Sequence, residues 1–299
     1  MRIFILGAGY SARAYARLVA ADADALVGTT RTLEKSAVLR EAGIDPIIFD
    51  GSVGQEMAEA LAATTHLVAS AAPSEAGDPL LRALPGGLRA AMPALRWAGY
   101  LSTVGVYGDH QGAWVDETSE TRPKSRRSIE RVAAEQAWLA AGRLAEVPVA
   151  VLRLSGIYGP GRNAFVNLAR GTAHRTIKPG QVFNRIHVAD IAGSLAFLGA
   201  RRIGGIFNVT DDEPGPPQDV ITYAASLMQV AAPPETPFDQ VEMSPMARSF
   251  WSDNKRVSNA LIRKLGYVFR YPNHRLALEA IWRDGSWRGS GTSVGDSDG

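Results

Sequence analysis

The chain has 299 residues, 46% of them apolar and 21% charged, with a formal net charge of +2 and no cysteine. Disulfides, thiolate nucleophiles and cysteine-based metal centres are thereby excluded. The balance of charge gives no footprint for nucleic acid or a membrane surface, and the length suits one large or two modest domains with a sizeable core. No apolar run reaches the length of a membrane span, and a core strand beginning at residue 2 leaves no room for a signal peptide. A cytoplasmic location is the default expectation.

The first 32 residues organise the rest. Ile3-Phe4-Ile5-Leu6 reads as a buried strand. Gly7-Ala8-Gly9-Tyr10-Ser11-Ala12 then fits GxGxxA, a helical stretch follows, and Ala25-Leu26-Val27-Gly28 reads as a second strand. Strand, glycine turn, helix and strand in that order is the context a dinucleotide fingerprint requires. Gly7 suits the tight turn. Gly9 lets a pyrophosphate approach the backbone at the helix N-terminus, and Ala12 lets the helix lie close on the strand. Tyr10 and Ser11 open that helix and are counted with the cofactor positions. At the end of the second strand an NAD-preferring site usually carries Asp or Glu. Here Thr29, Thr30 and Arg31 stand instead, which points to NADP(H), with NAD(H) as the second possibility. The alternative for Arg31 is a solvated surface charge.

Further strands are expected over 44–50, ending in the carboxylate of Asp50, over 65–70, 97–101, 147–154 and 205–209. Helices are expected over 33–42, 56–63, 80–96 with a break at 85–87, 129–144, 165–170, 187–198, 218–228, 260–265 and 274–282. Residues 117–127 read as a polar surface loop carrying Pro123. Small residues Ala71 and Ala72 after the fourth strand suit a backbone passing close to a dinucleotide, or a plain turn. Alternating strands and helices predict a parallel sheet covered on both faces. The Gly-, Ser- and Asp-rich residues 285–299 read as a disordered tail.

Several segments resemble the extended short-chain dehydrogenase/reductases, the group of NAD(P)-dependent epimerases and dehydratases. They are GAGYSA, LSTVGVYGD, VLRLSGIYGPGRN, RIHVADIAGSLAF, GGIFNVTDDEP and LGYVFRYPNHRLALEAI, spread over residues 1 to 283. The resemblance implies an α/β fold: a Rossmann-type doubly wound parallel sheet with a smaller, interleaved C-terminal substrate domain. The expected division is 1–159 with 187–212 for the sheet domain, and 160–186 with 213–284 for the substrate side. It also implies a small-molecule substrate and a possible homodimer through the helix over 129–144.

One departure matters most. The family's catalytic Tyr and Lys stand four residues apart at the start of a helix, with a Glu four residues beyond the Lys. Here Glu135 fits the glutamate, so Arg131 takes the Lys position and Arg127 the Tyr position. Arginine stays protonated at any working pH and is a poor acid or base. Arg131 is still suited to hold the nicotinamide ribose or a cofactor phosphate. Thr103 occupies the family's Ser/Thr position, either to bind a substrate oxygen or to cap backbone. Tyr107 and Tyr158 are candidates for the missing phenol, against the alternative of packed aromatics with satisfied hydroxyls. Tyr158 is grouped with Thr103, Arg127 and Arg131 as catalytic. Tyr107, Arg162, Asn163, Asn184, Arg185 and His187 are expected on the substrate side.

His187 and Asp190 are spaced for an acid/base dyad, or for a structural junction. The five histidines lack metal-binding spacing, so no metal is expected. The basic run from Arg122 to Arg131 reads as a solvated face partly turned to the cofactor. The functional expectation is an NADP(H)-dependent oxidoreductase or epimerase-like enzyme. The alternative is a dinucleotide-binding redox sensor without catalysis.

Overall fold

The computed structural model of the chain describes residues 1–243 and 245–289. One sheet contains seven parallel strands: β1 (Arg2–Leu6), β2 (Ala25–Thr30), β3 (Asp45–Ile48), β4 (His66–Ala69), β5 (Trp97–Thr103), β6 (Val149–Leu154) and β7 (Gly205–Val209). Their order in space is β7-β6-β5-β4-β1-β2-β3. The winding reverses between β1 and β4, which opens a crevice at their carboxyl ends.

The apolar runs of the strands are continuous because both faces are covered. In β1, Ile3 and Ile5 pack beneath the helices Tyr10–Val19 and Val188–Arg201, with Trp97, Ile191 and Leu195. Phe4 and Leu6 face the other way, toward Met57, Leu61, Tyr100 and Trp138. Trp138 lies on the long helix Arg126–Ala145, which covers that second face.

After β6 the chain leaves the sheet. Gly156–Tyr158 pairs in parallel with Arg185–His187, and Arg175–Ile177 with Glu235–Pro237. Helices Ala164–Ala169, Pro217–Met228 and His274–Arg283 enclose a separate apolar cluster of Phe165, Ala224, Leu278, Ile281 and Trp287. Between these segments Val188–Arg201 returns to the sheet and β7 adds to its edge beside β6. The architecture is a Rossmann-like parallel sheet with a smaller C-terminal part, as the alternation of elements predicts.

Two local readings differ from the structure. The long helix starts at Arg126, inside the stretch read as a loop, because Ser125 caps it by accepting the Ser128 N–H at 3.1 Å. Residues 285–289 also depart from the expected tail. Ser286–Arg288 forms a helical turn and Trp287 is buried. The aromatic ring outweighs the Gly/Ser composition around it, since burying it removes a large apolar area from water. The remainder of the expected tail, 290–299, lies outside the described residues.

Candidate functional site

The glycine turn sits at the carboxyl end of β1 and is fastened to β2. Gly7 N–H donates to Thr29 Oγ1 at 2.8 Å, and Ala8 N–H to the Thr29 carbonyl at 3.0 Å. Gly7 has φ +76°, and a Cβ there would come within 2.9 Å of the Ala71 backbone nitrogen. A side chain at this position is therefore excluded twice, by backbone conformation and by contact. Ala71 is held in place by its own N–H, which donates to the Leu6 carbonyl at 3.1 Å.

Gly9 differs. It caps the Tyr10–Val19 helix with an extended backbone and no side-chain cap. A Cβ on Gly9 would meet nothing within 4 Å. Among the described residues, the bare face of Gly9 thus looks into open space at a helix N-terminus whose cap residue supplies no side-chain oxygen. That arrangement suits an anion of phosphate type. Ser11 and Ala12 are buried under the first turn, which brings the helix against the sheet. A dinucleotide fits these residues: Gly7 makes the tight turn and the open face of Gly9 would admit the pyrophosphate. Thr30 closes β2 and the exposed Arg31 follows it, with no carboxylate between residues 29 and 32. Asp50 lies just past β3, exposed, and its carboxylate is held low by the hydroxyl and N–H of Ser52.

Tyr10 reaches across the turn. Its hydroxyl donates to the Pro160 carbonyl at 2.9 Å, and burial raises its pKa. This bond ties the fingerprint helix to the loop 159–163, in which Arg162 lies exposed. Ala72 is exposed after β4, at the same edge.

Thr103 ends β5, and its hydroxyl oxygen accepts the Gly105 N–H at 3.0 Å. The O–H itself is left to donate. Ser128 stands opposite: a Cβ on Gly105 would lie 3.2 Å from Ser128 Oγ and 3.3 Å from Thr103 Oγ1. Arg131, one turn further along the long helix, donates through Nη1 to the Leu101 carbonyl and, at 3.3 Å, to the Tyr100 hydroxyl. Arg127 is exposed at the first turn of the same helix. Thr103, Ser128, Arg131 and the turn at Gly7 to Ala12 therefore share the carboxyl edge of the sheet. Ser128 is not among the residues expected at the site, since it falls between the loop read over 117–127 and the helix read from 129; the Ser-x-x-Ser spacing at 125 and 128 was the available signal.

The structure directs several other expected residues inward. Tyr107 is fully buried; its hydroxyl donates to Asn208 Oδ1 at 2.8 Å and accepts from Arg153 Nη1 at 2.9 Å. Asn184 spends its amide on the Lys255 carbonyl and the Val257 N–H. Arg185 donates to the carbonyls of Phe183, Gly215 and Pro216. Asn163 caps the Ala164–Ala169 helix through the Val166 N–H. His187 accepts the Ala189 N–H at its Nδ1, which places the proton of the neutral ring on Nε2. Burial, reinforced by Arg270, pulls its pKa down to about 4. No hydrogen bond joins it to Asp190, whose carboxylate instead accepts from Tyr267 Oη and from the N–H groups of Arg270 and Tyr271. The pair is a structural junction, not a dyad. Tyr158 stacks edge-on against His187, 5.3 Å between ring centres, and its hydroxyl is covered and, among the described residues, has no hydrogen-bond partner. Burial, with Asp211 nearby, raises its pKa. Neither tyrosine thus presents a phenol at the sheet edge.

Asp211 lies behind this group, 1% exposed. Burial lifts its pKa to about 8, against the Glu213 N–H and Arg185, which lower it. An unfolded aspartate titrates near about 3.9. The folded state therefore holds the proton over pH 4 to 8, and Asp211 loses stability for the fold as pH rises through that window. Asp211→Asn removes this dependence. The stability of the Asn variant relative to wild type is expected to grow from pH 4 to 8, read as urea midpoints. A difference that stays constant with pH would contradict the assignment. Among the described residues no group of three acidic or histidine side chains converges as a metal site, and no helix is long and apolar enough to cross a membrane.

Comparison with known proteins agrees with the geometry. The model of the NAD dependent epimerase/dehydratase family matches residues 3–209. A conserved protein of unknown function from Silicibacter pomeroyi is 46% identical, with a TM-score of 0.86 over 95% of this chain and 98% of its own. The UDP-glucuronic acid 4-epimerase from Bacillus cereus in complex with NAD shares the fold, with a TM-score of 0.76 at 14% identity over 98% of this chain and 99% of its own. So does the human epimerase family protein SDR39U1 with NADPH, with a TM-score of 0.71 at 18% identity over 95% and 100%. No curated protein matches the chain. Dinucleotide binding is typical of this fold. The chain belongs to the NAD-dependent epimerase/dehydratase family.

Proposed function

We propose that the chain is an atypical extended short-chain dehydrogenase/reductase, an NADP(H)-binding oxidoreductase or epimerase-like enzyme acting on a small polar molecule. The observation that carries the reading is the open face of Gly9 at an uncapped helix N-terminus beside the β1/β4 crevice. When bound, the nicotinamide supplies or accepts a hydride. The chain's own residues then divide the remaining work. Arg131, anchored on Leu101, holds ribose hydroxyls in place of the family's lysine. Thr103 keeps an O–H to orient a substrate oxygen, and Arg127 adds a fixed positive charge at the mouth that favours anionic substrates.

Cofactor choice is tested by Arg31→Asp. A guanidinium pairs with a 2′-phosphate, whereas a carboxylate repels it. The variant is expected to weaken NADPH by about tenfold or more, equivalent to ~1.4 kcal/mol, and NADH much less. Equal loss for both would remove Arg31 from the 2′-phosphate. Catalysis is tested by a screen of carbonyl substrates, in which Thr103→Val should abolish any turnover found.

A second reading is supported by a specific observation. Tyr107 is locked to Asn208 and Arg153, and the Tyr158 hydroxyl is covered. General acid–base catalysis contributes roughly 10²–10⁴-fold, so a site to which neither Tyr107 nor Tyr158 offers its phenol fits a dinucleotide-binding redox sensor. NADPH binding without turnover of any carbonyl favours that reading.

A further inference from the structure

We propose that the C-terminal turn Ser286–Gly289 is a working wall of the dinucleotide cleft, with Trp287 as its positioning residue. The inference rests on the dinucleotide reading above. It concerns the loop 159–163, which lies over the start of the fingerprint helix.

That loop is held from two sides. On the inner side stands the Tyr10 hydroxyl, bonded to the Pro160 carbonyl. On the outer side stands one backbone oxygen. The Trp287 carbonyl accepts the Gly161 N–H at 3.0 Å and Asn163 Nδ2 at 2.8 Å. The same Asn163 Nδ2 donates to the Gly159 carbonyl at 2.8 Å, and its Oδ1 caps the next helix. Gly161 and the C-terminal turn touch backbone to backbone: a Cβ on Gly289 would lie 3.0 Å from Gly161 Cα. Gly161, at φ +77°, takes the conformation that brings its N–H to this carbonyl.

What keeps the carbonyl there is the indole. Trp287 is buried, stacked on Trp282 at 5.7 Å and tilted against Phe165 at 6.0 Å between ring centres. The Arg288 guanidinium covers its ring at 4.0 Å. Removing the indole frees the turn, and with it the shared acceptor. Gly161 N–H and the Asn163 amide then turn to water, and the loop can leave Tyr10. Tyr10 is the first residue of the helix whose N-terminus faces the open side of Gly9, so the change reaches the pyrophosphate seat.

The test compares the full chain with a chain ending at Gly289, a chain ending at Asp284, Trp287→Ala and Trp287→Phe. NADPH affinity is read by calorimetry and amide exchange is read at residues 159–163. The chain ending at Gly289 should match the full chain. Trp287→Ala and the chain ending at Asp284 should bind NADPH about tenfold more weakly and exchange the Gly161 amide at least tenfold faster, with strand protection in β1 and β5 unchanged. Trp287→Phe, which keeps an aromatic anchor, should recover most of both. NADPH affinity and Gly161 exchange within twofold of the full chain in Trp287→Ala would overturn the proposal. If the full chain binds no dinucleotide, the underlying reading falls and the wall's role in the cleft falls with it. Gly161 exchange still decides whether the turn holds the loop.

Discussion

Replacing Arg153 by methionine is expected to cost about 3–5 kcal/mol of folding stability, because it strands a buried carboxylate. Arg153 and Glu135 are 4% and 3% exposed. The guanidinium meets Glu135 through Nη2 at 2.8 Å and through Nε at 3.2 and 3.3 Å. Glu135 also accepts the Ser102 hydroxyl, and Arg153 Nη1 donates to Tyr107, which in turn donates to Asn208. One chain of bonds therefore crosses from the long helix through β5 and β6 to β7. Methionine preserves much of the volume but none of the charge, so Glu135 is left without its cation. Removing the carboxylate as well relieves that cost: Glu135→Leu/Arg153→Met should lose less than Arg153→Met alone. Urea unfolding of the three proteins reads both effects. A loss under about 1 kcal/mol for Arg153→Met would mean that water reaches Glu135 and the pair is not buried in solution.

Gly9→Val is expected to do the reverse, leaving the fold intact and removing dinucleotide binding. Gly9 has φ −79°, ordinary for any residue, and its Cβ direction is empty within 4 Å. The stability cost should stay under about 1 kcal/mol. The isopropyl group, however, fills the space a pyrophosphate would occupy, and NADPH affinity should fall about 100-fold, or ~2.7 kcal/mol. Gly7→Ala gives the contrast. Its Cβ would strike Ala71 in a left-handed backbone, so stability and binding should fall together. Weak binding with a lowered melting temperature in Gly9→Val would show that the glycine is structural only.

The sheet was legible in the sequence because each strand is a short apolar run between helical stretches, a local signal. The glycine turn was legible for the same reason, since strand, turn and helix follow one another directly, whereas its ties to Thr29 and Ala71 come from neighbouring strands and were not. The fate of Tyr107 was not legible. Its partners stand 46 and 101 positions away, and only the parallel order of β5, β6 and β7 brings them together. Asn184 likewise meets a segment 71 to 73 positions further on. At the long helix, Pro123 and the surrounding charges drew the loop too far, although Ser125 was in place to cap. At the C-terminus, average composition concealed one tryptophan whose burial orders the turn around it. The shared lesson is physical. Polar side chains near a cleft are recruited as readily for internal ties as for ligands, and only long-range geometry separates the two.

The proposed binding of a dinucleotide at the turn Gly7 to Ala12, with Arg31 selecting NADP(H), is tested by a tryptophan-fluorescence titration of the protein with NADPH and NADH at low salt, with Gly9→Val alongside. Saturable binding of NADPH, weaker binding of NADH and loss of both in the variant are expected. No response to either dinucleotide at millimolar concentration, or a Gly9→Val variant that titrates like the wild type, would contradict it.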